Sequence, residues 1–215
     1  MIKEFYLFAG YYIYNQYLED YYNKKNARNM VAFSHASGSV CLNSLYLLSY
    51  YFCGSTFLLT KLLLKSSLNF SIGYFLYDLY YILNFDKMNI LRYCYIYHHL
   101  GALYIIYNSY LISSVPLILL AGELSNIPSY YIYHNLHLDY KTKESEKEII
   151  KYKNIQKYLY GFIRVPVMSY LMYDITSSTV KSTQNFFTSP YLGLFIAGFP
   201  VYLMGLGWAY QLFKN

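Results

Sequence analysis

Charged residues are scarce in this sequence. Asp, Glu, Lys and Arg make up 13% of its 215 residues, about half the share in ordinary soluble domains, whereas apolar residues make up 56%. The charges are also clustered, because six lysines and four acidic residues lie between Asp139 and Lys157. Long apolar runs fill most of the remaining chain. This pattern argues against an ordinary soluble domain and predicts a single-domain polytopic membrane protein.

Cysteine is rare as well, and it shows no disulfide or metal-ligand spacing. Cys41, Cys53 and Cys94 lie within or beside apolar segments, so we expect them to pack as small apolar residues. The net charge of +6 comes without a basic stripe on a polar face, which argues against nucleic acid as a partner. In a membrane protein such an excess is typical of the cytoplasmic loops.

The apolar runs predict an all-α fold, a transmembrane helical bundle of six to seven spans. Residues 1–26 are expected to form an N-terminal span or an interfacial helix, since Asn15 and Gln16 interrupt a Tyr-rich run there. Residues 27–215 are expected to form the main transmembrane domain. The short, lysine-containing segment 54–67 is predicted to be an amphipathic connector. The predicted spans are 5–21, 29–53, 68–84, 90–111, 113–134, 157–179 and 190–213.

The distribution of Lys and Arg predicts how the bundle is oriented. Assigned to alternate loops, twelve of these residues fall on one side and four on the other, while Arg164 lies within a span. Because cytoplasmic loops are enriched in Lys and Arg, the 135–157 loop and the C-terminus are expected in the cytoplasm. The charge run predicts a solvated loop that is helical from Lys143. The larger set comprises Lys24, Lys25, Arg28, Lys87, Arg92, Lys214 and the six lysines of the loop; the smaller set comprises Lys3, Lys61, Lys65 and Lys181.

Ionisable side chains recur at one depth in the predicted spans, although they are costly inside a membrane. At ~1.5 Å per helical residue, those of four spans lie roughly 9–13 Å below the cytoplasmic edge. Glu123 lies at ~16 Å by the same rise, in a helix that Pro128 is expected to distort. Five helices therefore contribute to one polar layer, and we expect a water-accessible cavity that opens to the cytoplasm. The residues concerned are His35, Asp78, His98, His99, Glu123 and Arg164.

Helical spacing assigns faces to these residues. His98 and His99 differ by ~100° around the helix axis, so we expect one to face the cavity and the other to be held by a neighbour. Glu123 shares a face with Asn126, three residues later. Two polar stripes complete the pattern, His35, Ser39 and Asn43 on one span and Ser71, Tyr74, Asp78 and Tyr81 on another.

Several ordered motifs resemble the TLC-domain family of membrane proteins, which includes the ceramide synthases. They are F-S-H-A at 33–36, G-Y-F at 73–75 followed by Asp78, His98-His99, E-L-S-N at 123–126 and F-I-R-V-P at 162–166. The resemblance covers roughly residues 27–212. It implies a TLC-type bundle in an endoplasmic-reticulum-type membrane, with a role in lipid metabolism or homeostasis, including that of sphingolipids and ceramide.

For part of the family the resemblance implies an activity. Ceramide synthases carry paired histidines with Ser-Tyr eleven positions on, which His98-His99 and Ser109-Tyr110 match. They continue with His-Asp, where this chain has Glu-Leu-Ser-Asn at 123–126 and so departs from the pattern. An enzyme of this type transfers an acyl group from acyl-CoA, its co-substrate, to a long-chain base. It needs no bound cofactor.

Each polar residue then has an expected role. A histidine near neutral pKa suits the transfer of the amine proton, or it acts as a nucleophile, and a carboxylate fixes its tautomer. Arg164 is expected near the cytoplasmic mouth, where it would meet an anionic head group or a CoA phosphate. The predicted catalytic set is His98, His99, Asp78 and Glu123, and the predicted lipid-binding set is His35, Asn126 and Arg164.

Other interpretations stay open. The same cavity suits a non-catalytic lipid-binding, sensing or transport protein. The histidine pair is structural if both rings are hydrogen-bonded inside the bundle, and Asp78 with Arg164 is then an ion pair that locks helices. Metal ligation by His35, His98, His99 and Glu123 ranks third, because five histidines are too few for the histidine-rich di-iron membrane oxygenases.

Overall fold

The described part of the chain is helical almost throughout. The computed structural model describes residues 2–137, 142–182 and 190–214, and those ranges contain no β-strand. This confirms the predicted all-α fold. In order, the elements are α1 (Ile2–Glu19), α2 (Lys24–Cys53), α3 (Leu58–Phe85), α4 (Ile90–Tyr107), a 3₁₀ turn (Ser109–Leu111), α5 (Val115–Leu136), α6 (Lys143–Leu159), a π-helical turn (Tyr160–Arg164), α7 (Val165–Ser182) and α8 (Pro190–Lys214).

Capping residues fix several helix ends. Asn23 and Asn89 precede α2 and α4, and each side chain accepts a hydrogen bond from the third backbone N–H of its helix. Thr142 and Ser145 form a reciprocal capping box, which begins α6 at the predicted position. Helix α2 ends before Gly54, whose φ of 81° is a conformation that favours glycine.

Two elements differ from the predicted spans. The prediction of a separate connector at 54–67 is wrong, because from Leu58 onward these residues belong to α3. No proline interrupts this helix, so it continues from Leu58 to Phe85. The span predicted at 157–179 is the second half of a longer helical rod, since α6, the π-helical turn and α7 follow one another without a break. Residues 138–141 of the 135–157 loop lie outside the described residues.

Six helices pack in a closed ring. Each contacts the next in the order α2, α3, α4, α8, α7, α5 and back to α2. Helix α1 packs outside the ring against α2 and α3, and α6 packs mainly against α5. The ring therefore places α5 beside α2 and α8 beside α4, although these helices are far apart in the sequence.

Two backbone features bring α4 and α8 together. Gly101 allows a close approach, because a Cβ at this position would lie 2.9 Å from the carbonyl oxygen of Ala197. Pro200 has no N–H to donate to the carbonyl of Ile196, and the hydroxyl of Tyr97 donates to that carbonyl instead, at 2.6 Å. A side-chain hydrogen bond between the helices thus replaces the backbone bond that Pro200 removes.

Large apolar side chains cover the outside of the ring. Charged residues in the middle of the helices are buried instead, as Asp78, Glu123 and Arg164 illustrate. By length and hydropathy, one helix among the described residues, Tyr191–Lys214, could cross a membrane. On α4 the exposed apolar residues form a stripe at helical spacing, comprising Tyr93, Tyr97, Leu100, Tyr104 and Tyr107.

The cysteines belong partly to this outer surface. Cys41 and Cys53 are exposed, whereas Cys94 is half-buried. The prediction was that all three pack as small apolar residues; Cys41 and Cys53 lie on the exposed surface of α2 in the described structure.

Candidate functional site

A chain of alternating charges holds His99 in place. Its Nε2 lies 2.8 Å from one carboxylate oxygen of Asp78, and the other oxygen accepts a hydrogen bond from Arg28 at 2.9 Å. Arg28 also pairs with Asp86 at 2.8 Å, and Asp86 in turn contacts Arg92 at 3.0 Å. The chain joins α2, α3 and α4 and leads from the buried His99 to the connector between α3 and α4.

His35 is completely buried on α2 and is the centre of a second polar group. Its ring stacks on Tyr74 of α3 with centroids 3.9 Å apart, and its Nδ1 lies 3.2 Å from the hydroxyl of Tyr11 in α1. Its Nε2 lies 3.5 Å from Oε1 of Glu123 in α5, which is longer than a strong hydrogen bond. Glu123 is thus the carboxylate nearest to His35, and α1 reaches the site through Tyr11.

His98 and His99 have different surroundings, as their angular separation predicts. His98 lies on the wall of a cavity, whereas His99 is hydrogen-bonded to Asp78. The Nδ1 of His98 is buried and has no hydrogen-bond partner among the described residues. Its ring centroid lies 6.2 Å from that of Trp208 in α8, in an edge-on arrangement. An imidazole that lines a cavity can exchange a proton with a molecule bound there.

Arg164 is a buried cation without an anionic partner. Its side chain donates from Nη1 to Oδ1 of Asn126 at 2.7 Å, to the hydroxyl of Tyr160 at 2.9 Å and to Ser125 at 3.3 Å. All three acceptors are neutral. No carboxylate in the described parts of the chain lies within 4.0 Å of this guanidinium.

The π-helical turn determines where Arg164 points. Within it the N–H of Val165 bonds to the carbonyl of Tyr160, five residues back rather than four. Such a turn accommodates one extra residue and so changes the direction of the side chains that follow. It also ends two residues before Pro166, which cannot donate a backbone hydrogen bond. The motif F-I-R-V-P therefore contains both the arginine and the irregularity that orients it.

The polar residues meet an apolar cavity inside the ring. The cavity has a volume of about 70 Å³, and His98, Glu123, Asn126 and Arg164 line its polar end. Three other predicted site residues stand behind this wall: His35 lies 3.5 Å from Glu123, the His99 ring packs against Phe75, and Asp78 contacts His99. The rest of the lining is apolar and includes Ile105, Ile118, Leu119, Leu171, Met172 and Val201. A polar end with apolar walls suits an amphiphilic ligand.

Sequence reasoning missed Arg28, which it assigned only to the cytoplasmic charge excess. Arg28 precedes His35 by seven residues and therefore lies on the same face of α2, so the spacing contained a signal. The predicted ion pair between Asp78 and Arg164 is wrong, because Asp78 pairs with Arg28 and His99. Within 2–137, 142–182 and 190–214, no three His, Cys, Asp or Glu side chains converge as a metal-ligand set.

The second half of the ceramide-synthase signature lies apart from this site. Ser109 and Tyr110 are in the 3₁₀ turn after α4, and Tyr110 is 80% exposed. No known protein family, curated protein or solved structure matches this chain. Its function is therefore argued from its own residues.

Proposed function

We propose that this chain is a multi-pass membrane protein of the TLC-domain type that binds a lipid in a cytoplasm-facing cavity and serves lipid metabolism or homeostasis. The proposed location is an endoplasmic-reticulum-type membrane. The observation that carries the proposal is the meeting of buried charges and an apolar cavity inside one helix ring. The polar end suits a lipid head group, and the apolar wall suits an acyl chain.

The outer surface of the ring supports its insertion into a membrane. Exposed Tyr, Leu, Phe and Ile side chains occur on every ring helix, and soluble monomers avoid large contiguous patches of this kind. Hydropathy averaged over a whole helix understates such a surface in α2 and α3, because His35, Ser39, Asn43 and Asp78 point inward. Tyr also combines an apolar ring with a polar hydroxyl, which lowers the average where it is abundant.

Thiol labelling tests the proposed topology. In a variant with alanine at Cys41, Cys53 and Cys94, we expect Lys87→Cys to react with a membrane-impermeant reagent in sealed vesicles whose cytoplasmic side faces outward. Ser55→Cys should react only after permeabilisation, because it lies at the opposite end of α3 and both positions are exposed in the fold. If Lys87→Cys and Ser55→Cys are labelled equally in intact vesicles, α3 does not span the membrane.

Lipid retention tests the proposed function. Purified in detergent, the protein is expected to bind a long-chain lipid saturably, and Ala102→Phe should weaken that binding at least tenfold because Ala102 lines the cavity. The matched control is Leu48→Phe, on the exposed face of α2, which should bind as the unchanged protein does. Native mass spectrometry and a labelled-lipid titration measure both. Absence of saturable binding would refute the proposal.

A lipid N-acyltransferase is the second candidate, and the position of His98 favours it. In this reaction the amine nitrogen of a long-chain base attacks the thioester carbon of acyl-CoA; the C–N bond forms and the C–S bond breaks. The amine proton passes through His98 to the thiolate of CoA. In this proposal Arg164, which lines the same end of the cavity as His98, stabilises the oxyanion of the tetrahedral intermediate. Asp78 holds His99 by a hydrogen bond.

A further inference from the structure

We propose that the cavity selects a single-chain amphiphile with an anionic head, and that Arg164 is the counter-ion of that head. The inference rests on the proposed lipid-binding function and adds the charge of the ligand and the number of its chains. It starts from the one buried cation of the described site that lacks an anion.

No carboxylate of the described residues contacts Arg164 directly. The residue is 4% exposed, so water screens its charge poorly. Glu123 lines the same end and interacts with Arg164 electrostatically, but it lies more than 4.0 Å from the guanidinium and 3.5 Å from His35. Asp78 is engaged by Arg28 and His99. Since a buried charge is stable only with a partner, an anionic ligand would complete the site.

The guanidinium also has an unused edge. Its Nη1 makes all three hydrogen bonds to the protein, whereas Nε is buried and has no acceptor within the described chain. Carboxylates and phosphates bind arginine through two parallel N–H donors. The edge that contains Nε is therefore unoccupied and suited to the head group, and both Arg164 and His98 line the cavity.

The shape of the cavity favours a single acyl chain. Its lining on α5 extends from Asn126 to Val115, a rise of roughly 16 Å, which suits a long chain rather than a short one. The volume of about 70 Å³ holds only a few methylene groups as it stands, which leaves no room for two chains. A long chain enters by displacing flexible side chains, of which Met168 and Met172 line the wall. Gly122 keeps the passage beside the polar end open, because no atom lies within 4 Å of the position of a Cβ there.

Binding of three ligands of equal chain length tests the proposal. We measure a long-chain fatty acid, the corresponding alkyl phosphate and the corresponding fatty alcohol on the detergent-purified protein. At least one anion is expected to bind ten times more tightly than the alcohol, and the tighter of the two identifies the head group. Arg164→Gln should lower the affinity for the anions to that for the alcohol, and unchanged helical circular dichroism and elution volume show that the variant is folded.

Gly122→Leu tests the path of the chain. It is expected to weaken the binding of all three ligands at least tenfold, whereas Gly207→Leu, an exposed position on α8 with equally open space, should not. If the alcohol and the anions bind the unchanged protein equally well, the inference is wrong and lipid binding stands. If none of the three binds saturably, the proposed function itself is wrong.

Discussion

Asp78→Leu is expected to lower the free energy of unfolding by about 3–5 kcal/mol. The substitution removes the carboxylate that both Arg28 and His99 contact at 2.8 Å. Among the described residues, His99 then has no carboxylate partner and Arg28 keeps only Asp86. Three helices, α2, α3 and α4, lose the group that joins them. The loss of unfolding free energy is measured on the detergent-purified protein by thermal and denaturant unfolding. The fraction of protein that remains monodisperse reports how much is still folded.

Two further variants separate this ion chain from a general effect of removing a carboxylate. Asp174→Leu is the matched control, because Asp174 is half-buried on α7 and forms no ion pair within the described residues; we expect a loss below about 1 kcal/mol. The double variant Arg28→Leu/Asp78→Leu should lose less stability than the sum of the two single variants, since each single change already removes the Arg28–Asp78 pair. Losses that simply add would contradict this account.

His98→Ala is expected to reduce amide formation by about 10²–10⁴-fold if the protein transfers acyl groups, the range that a positioned acid or base contributes. The reason is that His98 lies on the cavity wall with an unpartnered Nδ1, in reach of a bound amine. The measurement uses labelled acyl-CoA and a long-chain base, with the product separated by chromatography.

His137→Ala is the control for this activity, because His137 is exposed at the end of α5 and bonds to the backbone carbonyl of Tyr133. It should leave amide formation unchanged. His98→Ala should still bind lipid, which distinguishes a lost proton carrier from a collapsed cavity. No amide formation by the unchanged protein, across chain lengths, would eliminate the acyltransferase and leave the lipid-binding function.

Much of the helical fold follows from local sequence. Apolar runs give the helices, and Asn23, Asn89 and the box of Thr142 and Ser145 fix where three of them begin. The α2–α3 boundary was less predictable. Leu58 to Lys65 contains both leucines and lysines, so composition indicated a surface segment, whereas the backbone simply continues as helix.

The sequence predicted which residues lie at the site better than it predicted which of them contact one another. Helical phase separates His98 from His99 and places His35 inward, because these are properties of one helix at a time. Partner choice depends on how helices rotate against one another and on where long side chains reach. Arg28 therefore reaches Asp78 across 50 positions of sequence, and Tyr11 reaches His35 from α1, without a local pattern for either contact.

The π-helical turn at Tyr160–Arg164 has a consequence for how insertions and deletions act on this chain. A π turn is an α-helix with one residue added, so deleting a single residue within it restores a regular helix. The two flanking segments would keep their relative rotation, because the π turn absorbs that one residue. If the turn instead closed to a regular α-helix with every residue kept, one side would rotate by about 100° relative to the other. Arg164 would then leave Asn126 while the composition of the rod stayed the same. The π turn, which accommodates one extra residue, thus keeps the positive charge of Arg164 inside the ring.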